Sequence, residues 1–385
     1  RQFSVNIPLE KTKRILYWFT LFHILKINPN PNAKSHFPAS HGGLFSIKNN
    51  TEKTIDFSSN VNPLGCHPGV KKYLKKHLNQ IDVYPDSEST KLRSNLKWFT
   101  GINQSQILVG NGATEIIYNF CSVFVNKKTK VLIPCPTFSE YEKAVKFYGG
   151  KTIHFKSLNL NADLSKFISK IPSNGIVFFC NPNNPTGELL SKKSIEQIVK
   201  IAEKKSTLVF VDETFIELVP DSNPSLVKSI KSYENLFVLR SFTKSFGLAG
   251  LRIGYGLGSK KIIEILQRVK IPWNVNYIAQ SAASAALCYS DFLEKSRKNI
   301  KKENSFLMNS LSQIKWLTCF ESSTNFILIK TKINSKLLQK KFLKKNILIR
   351  DCSTFCGLNE NYIRIAVKNR NQNKLLLKAL GEIKW

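Results

Sequence analysis

Short runs of β-branched and aromatic residues alternate with helical patterns through the middle of the chain, and this alternation restricts the fold more than any other feature. Helical patterns are predicted at 113–124, 138–147 and 191–205, and the runs between them predict strands at Ile107–Val109, Val131–Ile133, Gly175–Cys180, Thr207–Val211, Leu236–Arg240 and Arg252–Leu257. This order predicts an α/β fold with a mostly parallel sheet. Because ligands collect at the carboxyl ends of the strands in such sheets, we expect functional residues in the loops that follow them.

The N-terminal part of the chain is predicted to differ from the rest. The sequence begins at Arg1, and an apolar segment of eleven residues at 15–25 follows three basic residues. That segment is too short to cross a bilayer, which needs about 20 residues. We favour a packing or interfacial helix, or translated sequence upstream of the functional start, over a signal peptide. The polar stretch at 28–40 predicts a linker, and no other part of the chain approaches membrane-spanning length.

The chain is strongly basic, with 58 Lys and Arg against 26 Asp and Glu, which gives a net charge of +32. Taken alone, this charge suggests a nucleic acid or an anionic membrane as partner. However, 48 of the basic residues are Lys, and the Lys pairs are spread over the whole length. Arg is the better reader of phosphates and base edges, and no DNA-binding motif accompanies the charge. We therefore expect a solvated surface and no nucleic-acid partner.

The eight cysteines predict neither disulfides nor a metal site. None forms a CxxC pair or a Cys/His ligand spacing, and several lie in apolar runs such as 177–180. Buried free thiols in a reducing cytoplasm are the expected state, with a redox pair of Cys352 and Cys356 as the alternative. Hydrophobic residues make up 42% of the chain, so it can bury a large core.

Three of the predicted strands are followed by unusual polar sequences. A glycine turn opens a helix at Ala113 and Thr114, where free N–H groups suit a phosphate, although a plain turn capped by Thr114 explains the pattern equally well. The loop at 181–187 holds Asn184 between two prolines. Asp212 ends an apolar strand, where an unpaired carboxylate is costly, so it needs a cationic partner.

A lysine follows a fourth predicted strand, Leu236–Arg240. Lys244 stands three residues after Ser241 and eight before Arg252, beside apolar and hydroxyl residues. Partial desolvation lowers the pKa of a lysine, so Lys244 is a candidate Schiff-base nucleophile, with Ser241 and Arg252 as an anion site around it. This pattern, with the preceding loops in the same order, resembles the pyridoxal-phosphate enzymes of fold type I, the class I and II aminotransferase group. The resemblance runs from about His41 to the C-terminus.

The resemblance implies pyridoxal 5'-phosphate as cofactor and a role for each matching residue. Lys244 would hold the cofactor aldehyde and shuttle a proton, Asp212 would pair with the pyridinium nitrogen, and Asn184 would hydrogen-bond to the phenolic oxygen. Phe138 would stack on the ring. The cofactor phosphate would be held by Gly112, Ala113, Thr114, Ser241 and Arg252.

The same resemblance implies a substrate clamp, a dimer and a domain organisation. Arg364 matches the Arg that binds the substrate α-carboxylate, and Tyr84 matches a Tyr that reaches the cofactor phosphate of a neighbouring subunit, so a homodimer is expected. The implied fold has a large cofactor domain with a mostly parallel sheet and a smaller α/β domain. The boundaries are an N-terminal extension and linker at 1–40, an arm at 41–69, the large domain at 70–285 and the small domain at 286–385.

One position departs from the family pattern. Aminotransferases of this group usually carry Tyr three residues after the pyridinium Asp, where this chain has Phe215. Without that hydroxyl the cofactor is tuned differently, which puts simple aminotransferase activity in doubt without excluding it.

Other residues indicate the subfamily. The sequences at 41–43, 56–65, 272–276 and 349–358 resemble those of L-threonine-O-3-phosphate decarboxylases of cobalamin biosynthesis more than those of histidinol-phosphate aminotransferases. A phosphorylated amino acid or amine is therefore the expected substrate, with its phosphate bound by His41, Asn62 and Arg350. The backbone at Leu64 and Gly65 is expected to help place it.

Several of these residues, and the function itself, have alternative interpretations. His41 could be an ordinary linker histidine, and Arg350 could form a surface ion pair with Asp351. Small offsets in the placement of Arg364, Arg350 and the backbone at Leu64 and Gly65 could decide between loss of CO2 and transamination. A histidinol-phosphate aminotransferase, or another aminotransferase of this group, is therefore the alternative function. A third alternative is a ligand sensor built on the same fold, but the residues before His41 are too few for a convincing DNA-binding domain.

Overall fold

The computed structural model describes residues 30–47, 53–220 and 224–383. The apolar segment at 15–25 lies outside these residues. Backbone contacts divide the chain into two units, Arg1–Pro38 and Ala39–Trp385. In the first unit a short helix, Pro31–Ser35, begins where the Asn30 side chain accepts a hydrogen bond from the backbone N–H of Asn32. Across the described ranges, no helix is both long and apolar enough to cross a membrane.

A seven-stranded sheet forms the centre of the second unit. Its spatial order is β2-β8-β7-β6-β5-β3-β4, and its strands are β2 (Ile107–Gly110), β3 (Lys130–Cys135), β4 (Lys151–Lys156), β5 (Ile176–Cys180), β6 (Leu208–Asp212), β7 (Leu236–Ser241) and β8 (Gly254–Gly258). Strands β3 to β7 pair in parallel, and only β8 runs antiparallel to its neighbours. The predicted α/β class with a mostly parallel sheet is confirmed.

Smaller sheets lie beside the central one. Strand β1 (Ile55–Asp56) pairs in parallel with β11 (Ile347–Leu348). A four-stranded antiparallel sheet has the order β12-β13-β10-β9, from β9 (Leu317–Cys319), β10 (Phe326–Thr331), β12 (Arg350–Asp351) and β13 (Tyr362–Ala366). The domain boundaries expected at 40/41, 69/70 and 285/286 stay predictions.

Helices pack on both faces of the central sheet because its strands are apolar on both sides. All five residues of β5 are buried, and alternate residues contribute to different clusters, with Val177 and Phe179 in one and Ile176 and Phe178 in the other. The α-helices of this unit are Pro68–Lys76, Thr90–Thr100, Gly112–Phe124, Glu140–Phe147, Leu164–Ser169, Lys192–Lys204, Phe242–Ser245, Lys260–Arg268, Tyr277–Ala286, Ser290–Leu311, Ser335–Leu343 and Arg370–Gly381. Short 3-10 turns lie at Leu44–Ser46, Leu78–Gln80, Gln104–Gln106, Ile216–Leu218, Val227–Lys231 and Ala249–Leu251.

A buried ion-pair network supports the sheet beside the strand ends. Arg240, on β7, lies 2.9 Å from the carboxylates of both Glu213 and Glu217. All three side chains are nearly inaccessible to solvent. Glu217 also accepts a hydrogen bond from Ser245, the residue after Lys244, so this network holds the turn that carries the lysine.

Candidate active site

A cavity of about 290 Å³ lies at the carboxyl ends of β5, β6 and β7. This is the edge of the sheet at which the alternation of strands and helices predicts a ligand site. Eleven of the residues expected in the site line the cavity, and they are His41, Ala113, Thr114, Phe138, Asn184, Asp212, Ser241, Lys244, Arg252, Arg350 and Arg364. Gly112, Asn62, Leu64, Gly65 and Tyr84 are not among its lining residues.

One end of the cavity is suited to an anion. The helix Gly112–Phe124 begins there, so its free N–H groups and positive dipole end face that region. Gly112 has a φ of 80°, and a Cβ at this position would lie 2.7 Å from Nη2 of Arg252. Glycine thus lets the guanidinium approach the start of the helix. Ser241 caps the next turn by accepting from the Thr243 N–H at 3.1 Å.

Lys244 lies on the short helix that follows β7 and is mostly buried. Burial lowers its pKa to about 8, and the positive charges of Arg364 and Arg252 act in the same direction. Its carbonyl accepts from the Asn62 N–H at 3.0 Å, which fixes the backbone. Among the described residues it forms no ion pair. A lysine of this kind has a substantial neutral fraction near neutral pH, as a nucleophile requires.

Asp212 ends β6 as a buried carboxylate without a cationic partner among the described residues. Its Oδ2 accepts from the Tyr141 hydroxyl at 2.6 Å, and its Oδ1 accepts from the Thr214 N–H at 2.8 Å. Burial raises the pKa of Asp212, while these two hydrogen bonds oppose the rise. The arrangement leaves a buried acid that a cationic ligand atom would stabilise.

Sequence reasoning missed Tyr141. It lies on the helix Glu140–Phe147, is fully buried and holds Asp212 from 71 residues away in the chain. Three residues earlier is Phe138, whose ring meets that of Tyr141 edge-on at 5.6 Å. Nothing in the local sequence marks the Tyr141 hydroxyl, because its partner lies at the end of β6, far along the chain.

Arg364 reaches into the cavity from β13. Its Nη1 donates to Asn184 Oδ1 and its Nη2 donates to the Ser58 carbonyl at 2.7 Å. Its Nε–H is buried and has no hydrogen-bond partner. Burial lowers the pKa of Arg364 to about 10. An anion in the cavity would satisfy the charge and the unused donor.

Arg350 stands directly opposite Arg364, because the two Cα atoms are partners in the β12–β13 ladder. Its Nη2 donates to the Ser40 carbonyl at 2.6 Å and to Thr354 Oγ1 at 3.2 Å. The Asp351 carboxylate instead accepts from two serine hydroxyls. Arg350 is 7% exposed, so it is not the surface ion pair that the sequence left open.

His41 lies at the mouth of the cavity. Its Nε2 is 2.7 Å from Glu140 Oε1, and its ring centroid is 5.9 Å from that of Phe138. Its side chain is half exposed. The structure therefore places it against the cavity and not in a detached linker.

Four other expected residues contact parts of the protein outside the cavity lining. The Asn62 amide donates to the Ser245 carbonyl and the Ser296 hydroxyl, both at 2.8 Å, so it supports the lysine turn. Gly65 packs against Gly247, and Leu64 is partly exposed. Tyr84 is 78% exposed and contacts Trp273 with ring centroids 4.9 Å apart.

Phe215 lines the cavity at the position where the family pattern has Tyr. Its ring meets that of Phe326 at 5.1 Å, nearly edge to face. The Phe326 ring in turn lies 5.3 Å from the Arg364 guanidinium carbon. This wall is apolar where a tyrosine would offer a hydroxyl donor.

Comparisons with known proteins agree with this geometry. A family model for class I and II aminotransferases matches residues 52–380. A protein of Caldanaerobacter subterraneus subsp. tengcongensis, provisionally named threonine-phosphate decarboxylase, is 37% identical over 350 residues, which are 89% of this chain and 93% of the relative.

Two solved structures carry different names. The histidinol-phosphate aminotransferase of Clostridium acetobutylicum has a TM-score of 0.79 at 34% identity and covers 85% of this chain and 98% of its own. The L-threonine-O-3-phosphate decarboxylase of Porphyromonas gingivalis has a TM-score of 0.78 at 29% identity, with the same two coverages. These two neighbours share one fold but are named for two different reactions.

Proposed function

The chain belongs to the class I and II aminotransferase family of pyridoxal-phosphate enzymes, and on that premise we propose that it decarboxylates L-threonine O-3-phosphate. The family assignment confirms the predicted fold type and cofactor. In the proposed reaction the bond between Cα and the carboxylate breaks, CO2 leaves and Cα takes up a proton. The product is (R)-1-amino-2-propanol O-2-phosphate, which we place in cobalamin biosynthesis.

The observation that carries this proposal is the pair of facing arginines. Like charges directly opposite on neighbouring strands repel, and neither Arg350 nor Arg364 has an ion-pair partner within the described ranges. Both nevertheless line one cavity. L-threonine O-3-phosphate carries a carboxylate on Cα and a phosphate on the Cβ oxygen, so one small molecule would supply both missing anions. We assign the carboxylate to Arg364 and the phosphate to Arg350, with His41 beside it.

The residues of the cavity fit pyridoxal phosphate. The cofactor phosphate would be held by the N–H groups at Ala113 and Thr114 with Ser241 and Arg252. Asp212, buried without a cation among the described residues, would hold the ring nitrogen, Asn184 the phenolic oxygen and Phe138 the ring face. When bound, the cofactor supplies an electron sink for the bond that breaks at Cα.

The protein's own residues would decide which bond breaks. Two guanidinium groups fix two substituents of the substrate at once and thereby set the rotation about Cα. Lys244 Nζ is the proton carrier next to the cavity, and its lowered pKa lets it give and take a proton near neutral pH. Phe215, backed by the ring of Phe326, gives the cavity an apolar wall that offers no hydroxyl donor to the reacting groups.

Tyr84 supports a proposed homodimer. It is exposed and lies outside its own cavity, as expected for a side chain that contacts the cofactor phosphate of a neighbouring subunit. Light scattering should give twice the chain mass. Tyr84→Phe should weaken cofactor binding without changing that mass, whereas a monomeric wild type would contradict the assignment.

The test compares two reactions on the same preparation. The protein loaded with pyridoxal phosphate is given L-threonine O-3-phosphate, and CO2 and 1-amino-2-propanol O-2-phosphate are measured. In parallel it is given histidinol phosphate and 2-oxoglutarate, and glutamate is measured. Lys244→Ala should abolish both signals and serves as the background. Glutamate without CO2 would overturn the decarboxylase proposal.

Histidinol-phosphate transamination is the second candidate, favoured by the similarity to the Clostridium acetobutylicum enzyme. Histidinol phosphate has a phosphate but no carboxylate, so Arg364 would then be used only by the amino-group acceptor. If histidinol phosphate is the substrate, Arg364→Lys should leave its binding unchanged. If L-threonine O-3-phosphate is the substrate, Arg364→Lys should weaken its binding.

A further inference from the structure

Three potential metal ligands meet at one edge of the central sheet, just outside the set of residues that line the cavity. Cys135 is the last residue of β3, His154 lies on the edge strand β4, and Cys356 lies in the loop between β12 and β13. Their ligand atoms all lie within 4.8 Å of one another. None of the three is among the residues that line the cavity. The spacing of the cysteines along the chain predicts no metal site, because the ligands come together only in the fold.

The spacing is close to that of a tetrahedral site. Zinc–sulfur and zinc–nitrogen bonds of ordinary length place neighbouring ligand atoms roughly 3.5–3.8 Å apart. Cys356 Sγ is 3.7 Å from His154 Nδ1, and Cys135 Sγ lies within 4.8 Å of both atoms. Small side-chain adjustments would therefore bring all three atoms onto one ion.

The histidine is also oriented as in metal sites. His154 Nε2 lies 3.5 Å from Glu142 Oε1, on the opposite side of the ring from Cys356. A proton on Nε2 would face this carboxylate and leave the Nδ1 lone pair facing the thiol. Metal-bound histidines commonly contact a carboxylate through the second ring nitrogen, which fixes the tautomer. Glu142 also pairs with Lys146, which holds the carboxylate in place.

We propose that Cys135, His154 and Cys356 bind a zinc ion, with solvent as the fourth ligand and Glu142 positioning the histidine. Two thiolates and an imidazole favour zinc over magnesium or calcium, which prefer oxygen. Binding displaces the two thiol protons into solvent, and no oxidant or reductant is needed. The His154 side chain is 28% exposed and Cys356 is partly exposed, so an ion can enter and keep a water.

Zinc at this position would cross-link two segments that line the cavity. Cys135 directly precedes the segment that carries Phe138, and Cys356 directly follows Phe355, and both phenylalanines line the cavity. Gly357 already packs against the Cys135 backbone, where an added Cβ would lie 3.5 Å away. Because only the folded chain brings the ligands together, zinc should stabilise it by mass action.

The test is a zinc titration of the reduced, cofactor-loaded protein against a chromophoric chelator. One zinc per chain should bind, X-ray absorption should show two sulfur neighbours, and the unfolding temperature should rise. Cys356→Ser should abolish stoichiometric binding, whereas Cys319→Ser, a partly buried thiol outside the cluster, should not. Glu142→Gln keeps all three ligands and should weaken binding about 10- to 100-fold.

Folding of each variant is checked by its cofactor absorption and unfolding temperature. The proposal is overturned if the wild type binds no stoichiometric zinc, or if Cys356→Ser and Glu142→Gln bind it as tightly as the wild type. A Cys135–Cys356 disulfide that persists with reductant and blocks zinc would overturn it too.

Discussion

Replacing Arg350 by alanine tests the anion assignment directly. Within the described residues, Nη2 makes both hydrogen bonds of this guanidinium, to Ser40 and Thr354, so the N–H groups of Nη1 and Nε are available for a ligand. A phosphate held by these groups would gain two charge-assisted hydrogen bonds in a cavity where Arg350 is 7% exposed.

The expected loss follows from those two bonds. Hydrogen bonds to charged groups contribute about 1.5–3 kcal/mol each, and partial replacement by water lowers their sum. We expect Arg350→Ala to cost about 2–4 kcal/mol of substrate binding, which is roughly a 30- to 1000-fold higher Kd. The assay measures the Kd of L-threonine O-3-phosphate and of L-threonine from the absorption change of the bound cofactor. L-threonine has no phosphate, so its Kd should change by no more than about twofold.

The comparison between the two ligands separates a phosphate contact from general damage. Arg93→Ala is a matched control, because the Arg93 guanidinium also donates two hydrogen bonds, both to the Gln104 carbonyl, but Arg93 does not line the cavity. It should leave both dissociation constants unchanged. If Arg350→Ala weakens the two ligands equally, Arg350 does not bind the phosphate and the reasoning from the facing arginines fails.

Three further changes test the groups around the cavity. Cofactor-free Lys244→Met should be more stable than the cofactor-free wild type below pH about 8, because the folded wild type binds the lysine proton less tightly than the unfolded chain does. The difference in unfolding free energy should shrink as the pH rises and vanish near the ordinary lysine pKa of 10.5. A difference that stays constant with pH would contradict this. Tyr141→Phe should lower the unfolding free energy in urea by roughly 1.5–3 kcal/mol, since the buried Asp212 loses a donor. Arg240→Met should cost roughly 3–5 kcal/mol in the same assay, because two buried glutamates lose their cation, and a neutral result would refute the role of that network.

The parts of the site that the sequence predicts are those that sit at strand ends. Asp212 and Ser241 close apolar strands, and a parallel sheet brings such ends to one edge, so their meeting in one cavity follows from the strand pattern. Strand β4 (Lys151–Lys156) was not predicted. It is an edge strand with no fully buried residue and a lysine at each end, so it lacks the apolar run by which the other strands are recognised.

Contacts between distant segments could not be predicted in this way. The Tyr141 hydroxyl and the Asp212 carboxylate are 71 positions apart, and His154 and Cys356 are 202 apart. Asn62 shows the converse, because its motif resembles a substrate-binding segment while its amide is used by Ser245 and Ser296. A sequence motif identifies which residues come together, but only the folded structure shows which of their hydrogen-bonding atoms remain free for a ligand.

The burial of individual cations is more informative about ligands than the excess of positive charge. Exposed lysines such as Lys295 and Lys298 pair with acidic residues one helical turn away, and such exposed ion pairs contribute little to the free energy of unfolding. A buried cation without a carboxylate is costly, and within the described ranges Lys244, Arg350 and Arg364 are in that state. The cost is offset only when a ligand brings negative charge into the cavity. These three side chains therefore indicate anionic ligands in the cavity. The net charge of +32 gives no such indication, because a solvated basic surface would account for it equally well.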